Sequence, residues 1–218
     1  VALGQEKADL VIKGGTLVNV YSGELLKEYW VAIKRERIAY VGPEGKHTIG
    51  NNTEVIELKD QVLVPGFIDG HMHLDCTLGT VEEFIRYALP GGTTSTIIET
   101  TDIANILGYE GVISLLDIIN GQPMKFFALA PSLMPPLPVI DSKPLIGHKE
   151  LEKIIARPDI VGLGETIWPY VIDEDPYVMG MVDIAGKYNK EVEGHSAGAK
   201  GSKLVAYVAS GISSCHEP

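Results

Sequence analysis

The chain has 218 residues, enough for one sizeable core, or for a core and a small second domain. Its 18 Lys and Arg stand against 29 Asp and Glu, a formal charge of −11 with no basic cluster to offset it, which excludes nucleic acid and anionic membranes as expected partners. No apolar run is long enough to span a bilayer, Val1 to Lys7 do not open a signal peptide, and Cys76 and Cys215 have no zinc or redox spacing, so a reducing, cytoplasmic address is expected.

In chain order, Ala8 to Lys13 reads as a strand closed by Gly14-Gly15, and Thr16 to Val20 as a second. Tyr29 to Lys34 and Arg37 to Gly42 predict a hairpin around Arg35-Glu36, and Glu54 to Leu58 a further strand. Strands without helices predict a small all-β unit over residues 1–61. Next comes the stretch Val62 to Asp75. It opens as an apolar run, as a fully buried strand should, bends at Pro65-Gly66, and ends in His71-Met72-His73.

From Val62 onward strand and helix alternate. Thr80-Val81-Glu82-Glu83 has the form of a capping box and opens a helix through Leu89, stopped by Pro90-Gly91-Gly92. Thr93 to Thr100 is a β-branched strand. A helix follows over Asp102 to Asn120, with Gly108 and Gly111 as weak points. Lys125 to Ala130 is the next strand, residues 131–147 a proline-rich loop, and Lys149 to Ala156 a helix. Ile160 to Glu165 is a strand, Asp175-Pro176 starts a helix to about Tyr188, and Glu191 to His195 is a strand. Gly201 to Ser210 is helical, and Ile212 to His216 is a last strand. Alternation of this kind implies a parallel sheet. Residues 62–218 therefore predict an α/β domain, an incomplete TIM (β/α)8 barrel of six strands. The alternative, a doubly wound open sheet, finds no Gly-x-Gly-x-x-Gly turn to favour it.

A barrel of this type carries its chemistry at the C-terminal ends of the strands. The polar residues there are His71 and His73, Glu99 and Asp102, Glu165, His195, and His216 with Glu217. Side chains two apart on a strand share a face, so His71 and His73 can grip one ion. His195 and His216 could hold a second, with Glu165 between the two. Taken singly, Glu165 could be an ion-pair partner, His195 a turn residue and His216 a frayed end. His47 and His148 read as solvated surface residues.

The stretch from Pro65 to His73 resembles the first barrel strand of the amidohydrolase superfamily, metal-dependent hydrolases and deaminases on a TIM barrel. With Gly14 to Val20, Ile103-Ala104-Asn105, Gly162 to Glu165, Gly194-His195, Gly211 to Ser214 and His216-Glu217, the pattern is similar to the bacterial and archaeal adenine deaminases of that superfamily. The resemblance implies hydrolysis of adenine to hypoxanthine and ammonia at a site of two divalent ions, manganese or iron rather than zinc. It implies His71, His73, Glu165, His195 and His216 as ligands, and a small purine-like substrate. Glu217 is the candidate proton carrier, with a turn carboxylate as its alternative; Glu99 and Asp102 are candidate substrate contacts, with helix capping open for Asp102.

Three departures stand out. The family's Asp-Pro-His-Glu is Glu99-Thr100-Thr101-Asp102 here, its Glu-Ser is Asp75-Cys76, and its Asp-His-Glu-Cys is Cys215-His216-Glu217-Pro218. Another amino-heterocycle is therefore an alternative substrate. A cyclic-amide hydrolase would carry a carboxylated Lys where Gly164-Glu165-Thr166 stands, and a non-catalytic amidohydrolase-like fragment is the other rival. Both ends read as cut. The further expectations are that residues 1–61 form part of a β-sandwich completed by a later segment, that the superfamily's eighth-strand Asp lies beyond this sequence, and that the fragment alone is inactive. Its unpaired strand edges would invite association into a homo-oligomer.

Overall fold

The computed structural model describes residues 1–132 and 146–217, so the expected proline-rich loop lies mostly outside the described residues. The chain divides into two compact units, Val1–Pro65 and Gly66–Pro218.

The first unit is a five-stranded sheet of β1 (Leu10–Asn19), β2 (Glu24–Lys27), β3 (Trp30–Lys34), β4 (Arg37–Gly42) and β5 (Glu54–Leu63). β1 is its hub. It pairs antiparallel with β2 and β3, and parallel with β5. Gly14-Gly15 does not end the first strand as expected; the strand runs through the pair with a register shift against β5. Both glycines have positive φ, 78° and 64°, and a Cβ on either would strike the backbone of β5, so only glycine lets the strand continue. β2 is unannounced in sequence because four residues are too few for an alternation to register. A small core of Ala8, Val11 and Ala32 holds the unit, with Trp30, Tyr40 and Ile49 packed on it. His47 belongs here as well. Its ring meets Tyr40 edge-on at 5.0 Å and its Nε2 is buried, which corrects the expectation of a solvated residue.

The second unit is a parallel sheet in the order β11-β10-β9-β8-β7-β6, covered by helices. Its elements are β6 (Phe67–Met72), α1 (Val81–Ala88), β7 (Thr93–Ile98), α2 (Thr101–Ile119), β8 (Lys125–Ala130), α3 (His148–Ile155), β9 (Ile160–Ile167), α4 (Trp168–Ile172), α5 (Pro176–Lys187), β10 (Glu191–His195), α6 (Ser202–Ala209) and β11 (Ser214–Cys215). The strands curl, and the α/β rhythm of an open barrel is the architecture observed. Ile98, Leu116, Met124, Ile154, Ile155, Leu163 and Met181 form the core, each fully buried. Each such side chain contributes roughly 1.5–3 kcal/mol by leaving water.

Local detail departs from expectation where one local signal stood for a wider context. The apolar run Val62 to Asp75 is not one buried strand: Val62-Leu63 finish β5, and β6 starts only at Phe67. Phe67 and Ile68 are 59% and 69% exposed, because β6 is an edge strand among the described residues. The capping box of α1 forms on one side. Thr80 Oγ1 accepts from Glu83 N at 3.3 Å, while the Glu83 carboxylate pairs with Arg86 at 3.0 Å. α2 breaks at Gly108 (φ 61°, ψ −150°) but stays helical at Gly111. α4 carries no signal in the sequence, because five residues are too few to show a helical period. The last strand is two residues, shorter than expected. No helix among the described residues is long and apolar enough to cross a membrane.

Candidate active site

β6 and β11 are the two outer strands of the second sheet, yet the His71 and His216 rings stack with centroids 3.8 Å apart. The curl of the sheet thus brings its edges together at the C-terminal ends of the strands. Glu165 of β9 stands between them. Its Oε1 lies 3.1 Å from His73 Nε2, 3.3 Å from His71 Nε2, 3.4 Å from His216 Nε2 and 3.8 Å from His195 Nδ1. The four expected histidine ligands therefore converge on one carboxylate oxygen of the fifth, Glu165, although Leu74 to Gly164 separate the first pair from it in sequence.

The far sides of three rings are tied to carboxylates. His73 Nδ1 donates to Asp102 Oδ2 at 2.6 Å, and Glu193 Oε1 accepts from His71 Nδ1 at 3.0 Å and from His216 Nδ1 at 3.3 Å. A neutral imidazole that donates from Nδ1 carries a lone pair at Nε2. The lone pairs of His71 and His73 then face each other at 3.3 Å and face the Glu165 oxygen as well. Such a convergence of acceptors repels unless a cation lies among them. Protons are one answer: burial lowers the His73 pKa, but Asp102 and Glu165 outweigh it and raise the group above its ordinary value. A divalent metal is the other, and imidazole nitrogens with a shared carboxylate suit Zn, Mn or Fe. The ligand atoms of His71, Glu165 and His216 lie within 4.8 Å of one another, as do those of His195, His216 and Glu217. His195 Nδ1 is buried and lacks a hydrogen-bond partner, although Glu217 Oε1 is 3.0 Å away. The residues present therefore fit a metal centre.

Glu99, expected as a substrate contact, has its carboxylate taken up by donors of the protein. It is fully buried, and it accepts from Thr100 N at 2.9 Å, Thr101 Oγ1 at 2.8 Å and Glu165 N at 2.9 Å. Burial pushes its pKa up to about 7 despite these donors. It sits beneath β9, where a Cβ at Gly164 would collide with its carboxylate, so the glycine next to Glu165 is required by close approach. Asp102 neither caps α2, whose N-cap is Thr100, nor lies free; it orients His73. Glu217 reaches the site with Oε1, while its Oε2 accepts from Ser196 N. Burial raises its pKa, but the Ser196 N–H, the Cys215 thiol and the nearby His195 and His216 more than compensate and hold it below the ordinary carboxylate range. His148 is away from this cluster, exposed on α3 with Nε2 bonded to Tyr177 O at 2.9 Å.

Two further residues matter here. Glu193 is two positions before His195 on β10, so the alternation that pairs His71 with His73 also places it on the site's face. Tyr207 of α6 had no such signal. Its buried hydroxyl accepts from His195 N at 2.9 Å and donates to Thr166 O, pinning the ends of β9 and β10. A cavity of about 720 Å³ opens beside the site, lined in part by His71, Glu193 and His216.

The chain is 42% identical over 221 residues to the adenine deaminase of Moorella thermoacetica, covering 100% of this chain and 37% of that protein. It is 37% identical over 220 residues to adenine deaminase 3 of Rhizobium meliloti, again covering 100% of this chain and 37% of the relative. The chain thus spans little more than a third of the length of these curated relatives. Among solved structures, the atrazine chlorohydrolase TrzN of Arthrobacter aurescens, complexed with zinc and atraton, aligns with TM-score 0.66 at 13% identity over 93% of this chain and 58% of that one. A putative prolidase from Bifidobacterium longum aligns with TM-score 0.62 at 19% identity over 94% of this chain and 53% of that one. At these identities the likeness is one of fold. The model of the amidohydrolase family matches residues 62–218, and the chain belongs to that family.

Proposed function

We propose that the protein is a metal-dependent aminohydrolase that converts adenine and water to hypoxanthine and ammonia. The observation that carries the reading is the gathering of four imidazoles on the Glu165 carboxylate at the strand ends. The similarity to proteins named adenine deaminase supports the substrate. His71, His73, His195 and His216 would hold two divalent ions, manganese or iron rather than zinc, with Glu165 shared. When bound, such ions lower the pKa of a water toward neutrality and make hydroxide available. Glu217, beside His195, would take a proton from the attacking water and pass it to the ring and the departing ammonia. Asp102 keeps His73 in its ligating orientation, and Glu99 holds the backbone of Glu165. An acidic, purine-converting enzyme of the cytoplasm, able to pair with a second copy of itself, completes the reading.

One observation favours a neighbouring substrate. The Thr101 hydroxyl, where the family resemblance has a histidine, donates to the buried Glu99. The test is ammonia release by the protein at the full length its gene encodes, loaded with Mn²⁺, on adenine and a panel of amino-heterocycles and cyclic amides. Ammonia with hypoxanthine from adenine is expected. Opening of cyclic amides without ammonia from any aminopurine would overturn the deaminase reading.

A further inference from the structure

We propose that Glu193 is a shared positioning residue that sets the tautomer of His71 and His216 together and so makes Nε2 the ligating atom of both rings. The inference rests on the metal reading above and goes beyond it to a residue that reading does not use. Three observations converge. One oxygen, Oε1, reaches Nδ1 of both rings, at 3.0 and 3.3 Å, and a carboxylate oxygen has the two lone pairs needed to accept both. The rings are stacked 18° from parallel, so their Nδ1 atoms lie on one side and their Nε2 atoms, 3.3 and 3.4 Å from Glu165 Oε1, on the other. Glu193 itself is 7% exposed and its second oxygen is buried without a partner, so the two imidazole N–H groups are the compensation its buried charge receives.

The consequence is chemical. A neutral histidine side chain in water favours the proton on Nε2, the atom that must here carry a lone pair. Hydrogen bonding by a carboxylate at the other nitrogen reverses that preference and fixes the ring plane. Asp102 does this for His73 alone. Glu193, on β10, does it at once for a ring from each outer strand of the sheet, so one side chain couples the two edges at the point where they meet. Gln at this position keeps an oxygen that can accept both protons; Ala keeps none.

The test reads tautomers and metal affinity rather than turnover. Side-chain ¹⁵N NMR of the metal-free protein, with rings assigned by single histidine substitutions, is expected to show His71 and His216 protonated at Nδ1. Glu193→Ala should move both to Nε2–H and weaken Mn²⁺ binding, measured by chelator competition, about 10- to 100-fold. Glu193→Gln should keep both tautomers and lose less than about tenfold. Unchanged tautomers and wild-type Mn²⁺ affinity in Glu193→Ala would overturn the proposal. If that variant does not fold, by far-UV circular dichroism, Glu193→Gln decides: an Nε2–H signal from either ring in the folded protein refutes it. A wild-type protein that binds no Mn²⁺, but whose tautomers switch in Glu193→Ala, would refute the metal reading and leave the role of Glu193 standing.

Discussion

Tyr207→Phe isolates one oxygen atom that joins the core to the site. The hydroxyl accepts from His195 N and donates to Thr166 O, inside a residue that is 1% exposed. Phenylalanine keeps the ring and its packing, so no cavity larger than the lost oxygen forms. Two backbone groups lose a buried partner, each at about 1–3 kcal/mol, and partial relaxation brings the expected total to about 2–4 kcal/mol. With a urea m-value of about 2–3 kcal/mol/M, the unfolding midpoint should fall by roughly 1 M. The same change frees the backbone of a proposed ligand, so Mn²⁺ affinity should drop by about tenfold, in the range seen for groups that support a ligand from behind. Urea titration followed by circular dichroism, with and without Mn²⁺, measures both effects. A midpoint within about 0.2 M of wild type would refute the claim that this hydroxyl ties the ends of β9 and β10.

Glu165→Gln should leave the fold intact, because Glu99 bonds the Glu165 backbone rather than its carboxylate, but should abolish stable binding of two ions. Metal analysis after gel filtration checks it, and two Mn²⁺ retained per chain would refute the shared-ligand role. Gly164→Ala should cost about 1–3 kcal/mol by overpacking, since the new methyl meets the Glu99 carboxylate held by three donors. An unchanged thermal midpoint would show that Glu99 can move aside. Stripping the metal with a chelator should lower the melting temperature by roughly 5–10 °C, taking about 2.7 kcal/mol of linkage at a hundredfold excess over Kd. Calorimetry with Mn²⁺ added back should restore it, and identical traces would refute a resident metal.

Much of the second unit was legible because its signals are local. The strand Thr93–Ile98 follows from a β-branched run, Lys125–Ala130 from a short apolar, aromatic one, and the helix start at Asp175 from its cap and the proline after it, all signals that act within a few residues. The alternation of strand and helix was enough for the parallel sheet, and His71-Met72-His73 with the other strand-end groups was enough to nominate the five residues that gather. Exposure was not legible in the same way. Phe67 and Ile68 are as apolar as a buried strand requires, but burial depends on what lies alongside, and β6 is an outer strand.

What the amino-acid order alone determined, then, was the kind of element each segment forms and which end of each strand carries polar groups. Those properties depend on backbone sterics, side-chain periodicity and capping, all short-range. Tertiary structure decided what each carboxylate does. Glu99, Asp102 and Glu217 stand out in a string of letters only as acids near strand ends, and Glu193 only by its spacing from His195. Their different tasks, holding a backbone, orienting one ring, clamping two and facing the site, arise because the parallel sheet gathers the ends of its strands at one side and its curl brings His71 and His216 together there. A carboxylate's role is set by the donors within about 3 Å of it, and those donors come from residues far away in the chain.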